Sequence, residues 1–352
     1  MKNTLTIGFV LATAIFAIPS NAQTASLSLE SAIKQAFTQG PDLASSKATL
    51  ENARADLKAK ESDPSTLVLQ LTQARQAAEL NGAQYSMKRL EVAQSVTNSF
   101  INLYEAQENL KILEAQLNLD SRSLEIAKTK LAAKNGTQLD VNKAENTLAS
   151  SRQSLADSKA NMPILSNRLE VLLGGQVGGN LNVGMPPAFK EQKINLTALE
   201  SGLEKRLPSV LQGSQNVALN QLNVQLADND YTPPSTLRDS KTNLENAKRN
   251  SETSRSNAVT GLRDSHRSVL NSLERVRISA QDLTNSEDDL EQAQAKFKSG
   301  TISKNQLQQT EVSTMRSRFS RLQANDNYLK ALFNVATASG NDVTGLTGGD
   351  AQ

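Results

Sequence analysis

The chain has 352 residues, of which 38% are hydrophobic and 3% aromatic, with a formal net charge of +2 and no cysteine. The lack of cysteine excludes disulfides, thiol chemistry and cysteine-rich metal sites. Acidic and basic residues are interspersed without a basic block, which argues against nucleic-acid binding. The length predicts one or two domains, and the composition is typical of long helices.

The first residues predict a secretory signal peptide over residues 1–22. Lys2 precedes the apolar run Leu5–Ile18, and small residues at Ser20 and Ala22 suit cleavage after Ala22. A retained membrane anchor is the less favoured alternative, because the run is too short for an ordinary membrane span. We therefore expect an exported, periplasmic chain, with association to the outer membrane left open and no membrane span in the mature part.

An internal repeat organises the rest of the chain. Similar landmarks occur in the same order in residues 23–175 and 195–340, separated by a Gly/Pro-rich connector (176–194) and followed by a flexible tail (341–352). Each half predicts a helix, a proline break, a very long helix, a Gly-Thr turn, a long helix and a glycine stop. The matched landmarks are Pro41 with Pro208, Pro64–Leu67 with Pro234–Leu237, Lys134–Val141 with Lys298–Asn305, and Arg168–Gly175 with Ala331–Gly340.

The long helical segments carry coiled-coil seams, in which apolar residues recur at alternating three- and four-residue steps. Asp120 interrupts the first seam, and His266 and Glu287 interrupt the second. The seam residues are Leu103, Ala106, Leu110, Leu113, Leu117, Leu124, Ala127 and Leu131 in the first half, and Leu262, Val269, Leu273, Val276, Ala280, Leu283 and Leu290 in the second.

Two Gly-Thr turns are expected to reverse the chain, at Gly136-Thr137 and Gly300-Thr301. Each glycine is expected to take the left-handed conformation that ends a helix, and each threonine to cap the next helix. The predicted fold is therefore all-α, with two tandem long antiparallel coiled-coil hairpins and little or no β structure.

These features together resemble the TolC-like outer-membrane efflux protein family, and the resemblance covers nearly all of the mature chain. It implies a homotrimer whose long helices form a tube that projects into the periplasm. The similar segments are Leu27–Leu43, Gly136–Gly174, Glu204–Gln212, Ser265–Val269 and Phe297–Ser303, together with Leu69–Gln73, which resembles the end of a strand.

Two pairs of membrane strands per protomer are also implied by the resemblance, at the two Pro-Ser-Thr-Leu positions. A membrane strand needs about 9–11 alternating residues. The first gap offers at most Thr66–Thr72, and the second offers none. We therefore expect the barrel segments to be missing, by natural loss or by engineering, with a short turn at each truncated-barrel junction: Pro64 and Ser65, and Pro234 and Ser235.

The hairpin tips are the docking site that the resemblance implies, for a periplasmic adaptor protein working with an inner-membrane transporter. The candidate docking residues are Gly136, Thr137, Asp140, Gly300 and Thr301. Asp140 fits a plain capping role at a helix start as well as an adaptor contact.

The tube entrance is where the sequence departs from this family. Gln306 and Gln309 stand where members used for drug export often carry aspartates. Acidic gating of that kind is therefore not expected.

No catalytic constellation is evident, so we predict no enzyme, no cofactor and no metal site. For His266 a structural role on the seam is favoured, and the acidic cluster Glu287–Glu291 fits a solvated helix face better than a metal site. The sequence thus predicts an outer-membrane efflux component reduced to its periplasmic helical tube, acting as a conduit or docking piece. The alternative is a periplasmic coiled-coil scaffold or spacer without a transport role.

Overall fold

The computed structural model describes residues 26–175, 178 and 180–348, so the predicted signal peptide lies outside the described residues. The predicted all-α fold is confirmed, because the only β pairing in these ranges is a parallel bridge between Leu27 and Val183. None of the helices in these ranges is long and apolar enough to cross a membrane. The helices are α1 (Leu29–Gln39), α2 (Pro41–Ser62), α3 (Val68–Ala132), α4 (Gln138–Leu172), α5 (Leu196–Ser201), α6 (Leu203–Arg206), α7 (Pro208–Ala227), α8 (Pro234–Lys298) and α9 (Lys304–Ser339).

The repeat is visible in the helix lengths and in the packing. Helices α3 and α8 each contain 65 residues, and α4 and α9 contain 35 and 36. At 1.5 Å per residue, each 65-residue helix extends about 98 Å. Helix α3 packs against α2 and α4, as α8 packs against α7 and α9. Both α2 and α7 begin with a proline at their first position, Pro41 and Pro208, where the missing N–H costs nothing.

Two hydrophobic clusters form the core, and α9 contributes to both. Phe333 is fully buried in the cluster that includes Phe100 of α3 and Ile33 of α1. Leu332 and Val335, its neighbours on α9, belong to the second cluster with Val269 of α8. Because adjacent faces of one helix serve the two clusters, α9 joins the first repeat to the second.

The predicted seams are mostly buried or half-buried, and their polar interruption at Asp120 has hydrogen-bond partners. Asp120 is 7% exposed. Its carboxylate accepts hydrogen bonds from Ser151 Oγ of α4 and from Gln116 Nε2, the latter at 2.9 Å. A buried carboxylate with two donors avoids most of the desolvation cost of a polar group in a seam.

The two Pro-Ser-Thr-Leu copies are not structurally equivalent. Pro64 and Ser65 lie in the turn between α2 and α3, where Asp63 Oδ1 accepts bonds from Ser65 N at 2.9 Å and Ser65 Oγ at 2.7 Å. These two bonds, that of the hydroxyl foremost, lower the pKa of Asp63. The interpretation of the first copy as a turn agrees with the structure.

The second copy is helical, so its interpretation as a turn is wrong. Pro234 is the first residue of α8 and Ser235 the second, and the preceding turn is formed by residues 228–233. Proline suits a first helical position because its φ is already helical and its N–H is not needed. The residue equivalent to Pro234 is Val68, the first residue of α3. Leu69–Gln73, which resembles the end of a strand, is also helical in α3.

Candidate docking site at the hairpin tips

The first tip, residues 133–137, is a tight helix end in which a lysine takes the left-handed conformation. Lys134 has a φ of 59°. Asn135 N donates to Lys130 O at 2.8 Å, and Lys134 N donates to Leu131 O at 2.9 Å. This pair of bonds is the Schellman pattern, which satisfies the last carbonyl groups of α3.

A capping box starts the returning helix at the first tip. Asp140 N donates to Thr137 Oγ1 at 3.2 Å, and Asp140 Oδ2 accepts from Thr137 N at 2.9 Å and from Thr137 Oγ1 at 2.7 Å. The bonds from Thr137, that of its hydroxyl foremost, lower the pKa of Asp140. The capping role of Asp140 is therefore the one that the structure shows.

The second tip, residues 299–303, repeats this construction with other residues. Gly300 has a φ of 75°. Thr301 N donates to Lys296 O at 2.8 Å, and Gly300 N donates to Phe297 O at 3.0 Å. Ser303 caps α9, since Gln306 N donates to Ser303 Oγ at 3.2 Å and Ser303 N donates to Gln306 Oε1 at 2.8 Å.

Two expectations about the tips are wrong, because the sequence match places the Gly-Thr pairs two residues out of structural register. Gly136 does not have a positive φ, and Lys134 occupies the position equivalent to Gly300. Thr301 does not cap α9, because the equivalent of Thr137 is Ser303. Gly136 is still sterically restricted, since an added Cβ would lie 3.0 Å from Lys130 Cβ.

A ladder of polar contacts between α3 and α9 brings the two tips to the same end of the molecule. Ser123 Oγ lies 3.4 Å from Asn305 Oδ1. The other contacts run back along the two antiparallel helices and fix their register: Arg122 Nη1 to Gln308 Oε1 at 3.0 Å, Arg316 Nη2 to Gln116 Oε1 at 2.8 Å, Lys330 Nζ to Asn102 Oδ1 at 3.4 Å, and Gln94 Nε2 to Asn334 Oδ1 at 2.6 Å.

This architecture corresponds to that of outer-membrane channels. Residues 63–175 match the family model of outer membrane efflux proteins. The crystal structure of the CmeC outer membrane channel from Campylobacter jejuni has a TM-score of 0.67 at 13% identity, covering 97% of this chain and 94% of CmeC. The resemblance to the TolC-like outer-membrane efflux family is confirmed.

Two further solved structures agree with this assignment of the fold. The outer membrane protein VceC from Vibrio cholerae has a TM-score of 0.63 at 14% identity, covering 90% of this chain and 96% of VceC. A membrane protein from Pseudomonas aeruginosa has a TM-score of 0.66 at 14% identity, covering 89% and 90%. No curated protein sequence matches the chain significantly.

The two tube-entrance candidates, Gln306 and Gln309, line the same groove between α8 and α9 but differ in whether they cap a helix. Gln306 is the third residue of α9 and its side chain is occupied by the capping box. Gln309 is exposed and lines a groove of about 460 Å³ between α8 and α9, together with Asp289 and Lys296. Of the two candidates, only Gln309 has no role in capping its own helix.

Two further residues singled out in the sequence, Glu287 and His266, both lie on α8. Glu287 pairs with Arg318 of α9 at 2.9 Å, across the second hairpin. His266 is half-buried on α8. Across the ranges that the structure describes, no cluster of His, Cys, Asp and Glu side chains has the arrangement of a metal site.

At the first tip the cap by Thr137 and the capping role of Asp140 were predicted, whereas the capping box of Ser303 and Gln306 was missed, although its signal is present. Thr137-x-x-Asp140 and Ser303-x-x-Gln306 both have the spacing by which a capping side chain and the third helical residue exchange hydrogen bonds. Lys134 had no comparable signal, because lysine has no preference for positive φ.

Proposed function

We propose that this chain is an outer-membrane efflux component whose helical part is a conduit or docking piece, and that a periplasmic adaptor binds at its two hairpin tips. The proposal extends to export by the predicted signal peptide, a periplasmic position of the tips and a homotrimeric assembly. It also includes an inner-membrane transporter as the further partner of the adaptor. The observation that carries it is the pair of long hairpins with neighbouring tips, in a fold shared with solved outer-membrane channels over nine tenths of the chain or more.

The construction of the tips supports a docking role. Each turn is closed by a Schellman pattern on one side and a capping box on the other, so its backbone is held by hydrogen bonds that the tip itself supplies. A rigid turn loses little conformational entropy when a partner binds. The alternative of a spacer without a transport role needs a length of coiled coil but no recognition at its ends.

The test is a double variant, Gly136→Val with Gly300→Val, assayed for binding to candidate periplasmic adaptors. Valine at Gly300 meets a positive φ, and at Gly136 it crowds Lys130 Cβ, so both turns change shape while the long helices remain. We expect adaptor binding to fall sharply with little change in melting temperature. The matched control is Gly345→Val, another glycine with positive φ and open space, in the C-terminal segment that contacts Arg89.

The alternative hypothesis, a spacer without a transport role, predicts that the double variant behaves like the parent in the same assay. If hydrogen exchange shows altered turns in the double variant but adaptor binding equals that of the parent, the docking proposal fails. Loss of adaptor binding by the Gly345→Val control, with binding by the double variant intact, would also contradict the placement of the site at the tips.

A further inference from the structure

A cavity of about 170 Å³ lies between α9 and two non-helical segments, residues 187–192 of the connector and residues 344–346 near the C-terminus. Gln192 N donates to Tyr328 Oη at 2.9 Å, and the rings of Phe189 and Tyr328 meet edge to face with their centroids 5.1 Å apart. The connector is therefore fixed on α9 beside the cavity. At about 30 Å³ per water molecule, the cavity has room for about five waters or one small organic molecule.

The C-terminal segment beside the cavity is held by its own hydrogen bonds and by α3. Asp342 accepts from Thr344 N at 2.8 Å and from Thr347 N at 2.9 Å. Arg89 Nη2 of α3 donates to Thr347 O at 3.0 Å, and Leu346 packs against the first hydrophobic cluster. The walls of the cavity are thus formed before any ligand arrives, as is usual for small-molecule sites.

Two buried oxygen atoms of residues that line this cavity lack a hydrogen-bond partner. They are Asn325 Oδ1 and Asp326 Oδ2, and no donor among the described residues reaches either atom. Asp326 as a whole is only 2% exposed. Because buried polar atoms in folded proteins are almost always paired, these two acceptors call for a donor that occupies the cavity.

The charges around Asp326 leave its carboxylate without a cation of its own. Glu105 of α3 lies 4.0 Å from Lys330 Nζ, which therefore already has a carboxylate partner, and Glu108 forms an ion pair further along α3. Lys190 lines the cavity from the connector, but its side chain is exposed to solvent. A positive charge inside the cavity would balance the ionised Asp326.

We propose that this cavity binds a short primary alkylammonium ion, a site that lies away from the hairpin tips and does not depend on the docking role proposed above. The ammonium group carries one positive charge and three N–H donors, which suit the oxygens of Asp326 and Asn325. Aromatic rings beside a cavity also attract a cation. The alkyl part has apolar surroundings in the remaining lining residues, among them Phe189, Leu329, Leu332 and Leu346.

Water and a metal ion fit this lining less well. A buried water needs two to four polar partners, and much of the wall is apolar. Calcium takes about six to eight oxygen ligands, whereas Asp326 supplies the one carboxylate of the lining within the part of the chain that the structure describes. An ion with an apolar body matches both kinds of wall.

Binding of the ammonium ion competes with a proton on Asp326. Burial, followed by the charge of Glu105, raises the pKa of Asp326 to about 7, against the effect of Lys330. Tyr104 also faces this carboxyl and stays neutral, because burial, followed by Glu108 and Asp326, raises its own pKa. Only the ionised Asp326 attracts a cation, so affinity should rise between pH 5 and pH 8. The amine stays charged over this range, since alkylamines resemble the lysine side chain with its pKa of about 10.4.

The experiment is isothermal titration calorimetry of the whole chain with n-butylammonium chloride, at pH 5 and pH 8 and constant ionic strength. The matched ligand is n-butanol, which has a similar shape and no charge, and potassium chloride is the inorganic cation. The variants are Asp326→Asn and Asn325→Ala. The control is Asp282→Asn, which removes the same charge from an exposed position on α8.

We expect the parent and Asp282→Asn to bind butylammonium at pH 8, and about tenfold or more weakly at pH 5. Asp326→Asn should bind about tenfold or more weakly than the parent at pH 8 and lose the pH dependence, and Asn325→Ala should also bind more weakly. At pH 7, binding to the parent should release about half a proton, measured from the heats in two buffers of different ionisation enthalpy.

Four outcomes would overturn the inference. Equal binding of butanol would show an apolar cavity without selection for charge, and an equal heat from potassium chloride would show an inorganic cation site. No butylammonium binding at pH 8 would leave the cavity to water, and undiminished binding by Asp326→Asn would place the ion elsewhere. Circular dichroism checks that each variant is folded, and the pH and butanol comparisons on the parent decide alone if Asp326→Asn is not.

Discussion

Asp326 of α9 faces Glu105 of α3 across the interface that joins the two repeats. Asp326 is 2% exposed, and its Oδ2 has no hydrogen-bond partner among the described residues. Burial, followed by the charge of Glu105, raises the pKa of Asp326 to about 7, although Lys330 on the same helix opposes the shift. Tyr104 of α3 also faces this carboxyl, and burial together with Glu108 and Asp326 raises its pKa.

The protein should therefore lose stability as the pH rises from about 4 to about 7. The folded state holds the proton of Asp326 more tightly than the unfolded state, so the stabilisation is complete at low pH and is lost through the folded pKa. Replacing Asp326 with Asn should remove roughly 2–4 kcal/mol of this pH dependence. Urea unfolding of the variant at pH 4 and pH 8 measures it.

The exposed Asp282 of α8 supplies the control for that experiment. The variant Asp282→Asn should leave the pH profile of the parent unchanged. An Asp326→Asn protein whose stability falls between pH 4 and pH 8 as steeply as that of the parent would contradict this account of the interface.

The capping box at the second tip should contribute measurably to local stability. Ser303→Ala removes the oxygen that accepts from Gln306 N, and a lost cap of this kind costs about 1 kcal/mol. We expect faster hydrogen exchange at residues 304–307 with little change elsewhere. Ser320→Ala on the exposed side of the same helix is the control, and comparable exchange at the tip in both variants would show that the cap has no such effect.

The left-handed residues at the two tips should respond in opposite directions to complementary substitutions. Lys134→Gly relieves a side chain held at positive φ and should stabilise the first tip, whereas Gly300→Ala should destabilise the second, each by about 1 kcal/mol. Hydrogen exchange at each turn reports the change locally. Destabilisation by Lys134→Gly, or no effect of Gly300→Ala, would be inconsistent with the conformations described above.

The chain should self-associate, and the proposed assembly is a trimer. Several large apolar side chains are exposed along the bundle, among them Ile164, Val171 and Ile278. Apolar surface of this kind on long hairpins is suited to contact with further copies. Native mass spectrometry at tens of micromolar checks the stoichiometry, and a strictly monomeric chain under these conditions would count against both the tube and the trimer.

The helices and their hairpins were predictable because their signals are local and periodic. The seam through Leu103 and the prolines at Pro41 and Pro208 indicate buried faces and helix starts whatever surrounds them. The register of the repeat was not predictable from the shared tetrapeptide, because Pro234 can begin a helix as readily as Pro64 can form a turn. Asp326 gave no signal either, since only its packing against Glu105 distinguishes it from an ordinary aspartate on a polar helix.

The equal lengths of α3 and α8 restrict which insertions and deletions the two repeats can accept. The polar ladder between α3 and α9 fixes the register of these two antiparallel helices, and α9 is paired in turn with α8. An insertion in α3 alone would displace every contact beyond it. A longer or shorter version of this protein would therefore arise by matched insertions or deletions in both repeats, in multiples of about seven residues that preserve the seams. The lengths of the two repeats are therefore coupled, and a change in the length of one repeat should be accompanied by an equal change in the other.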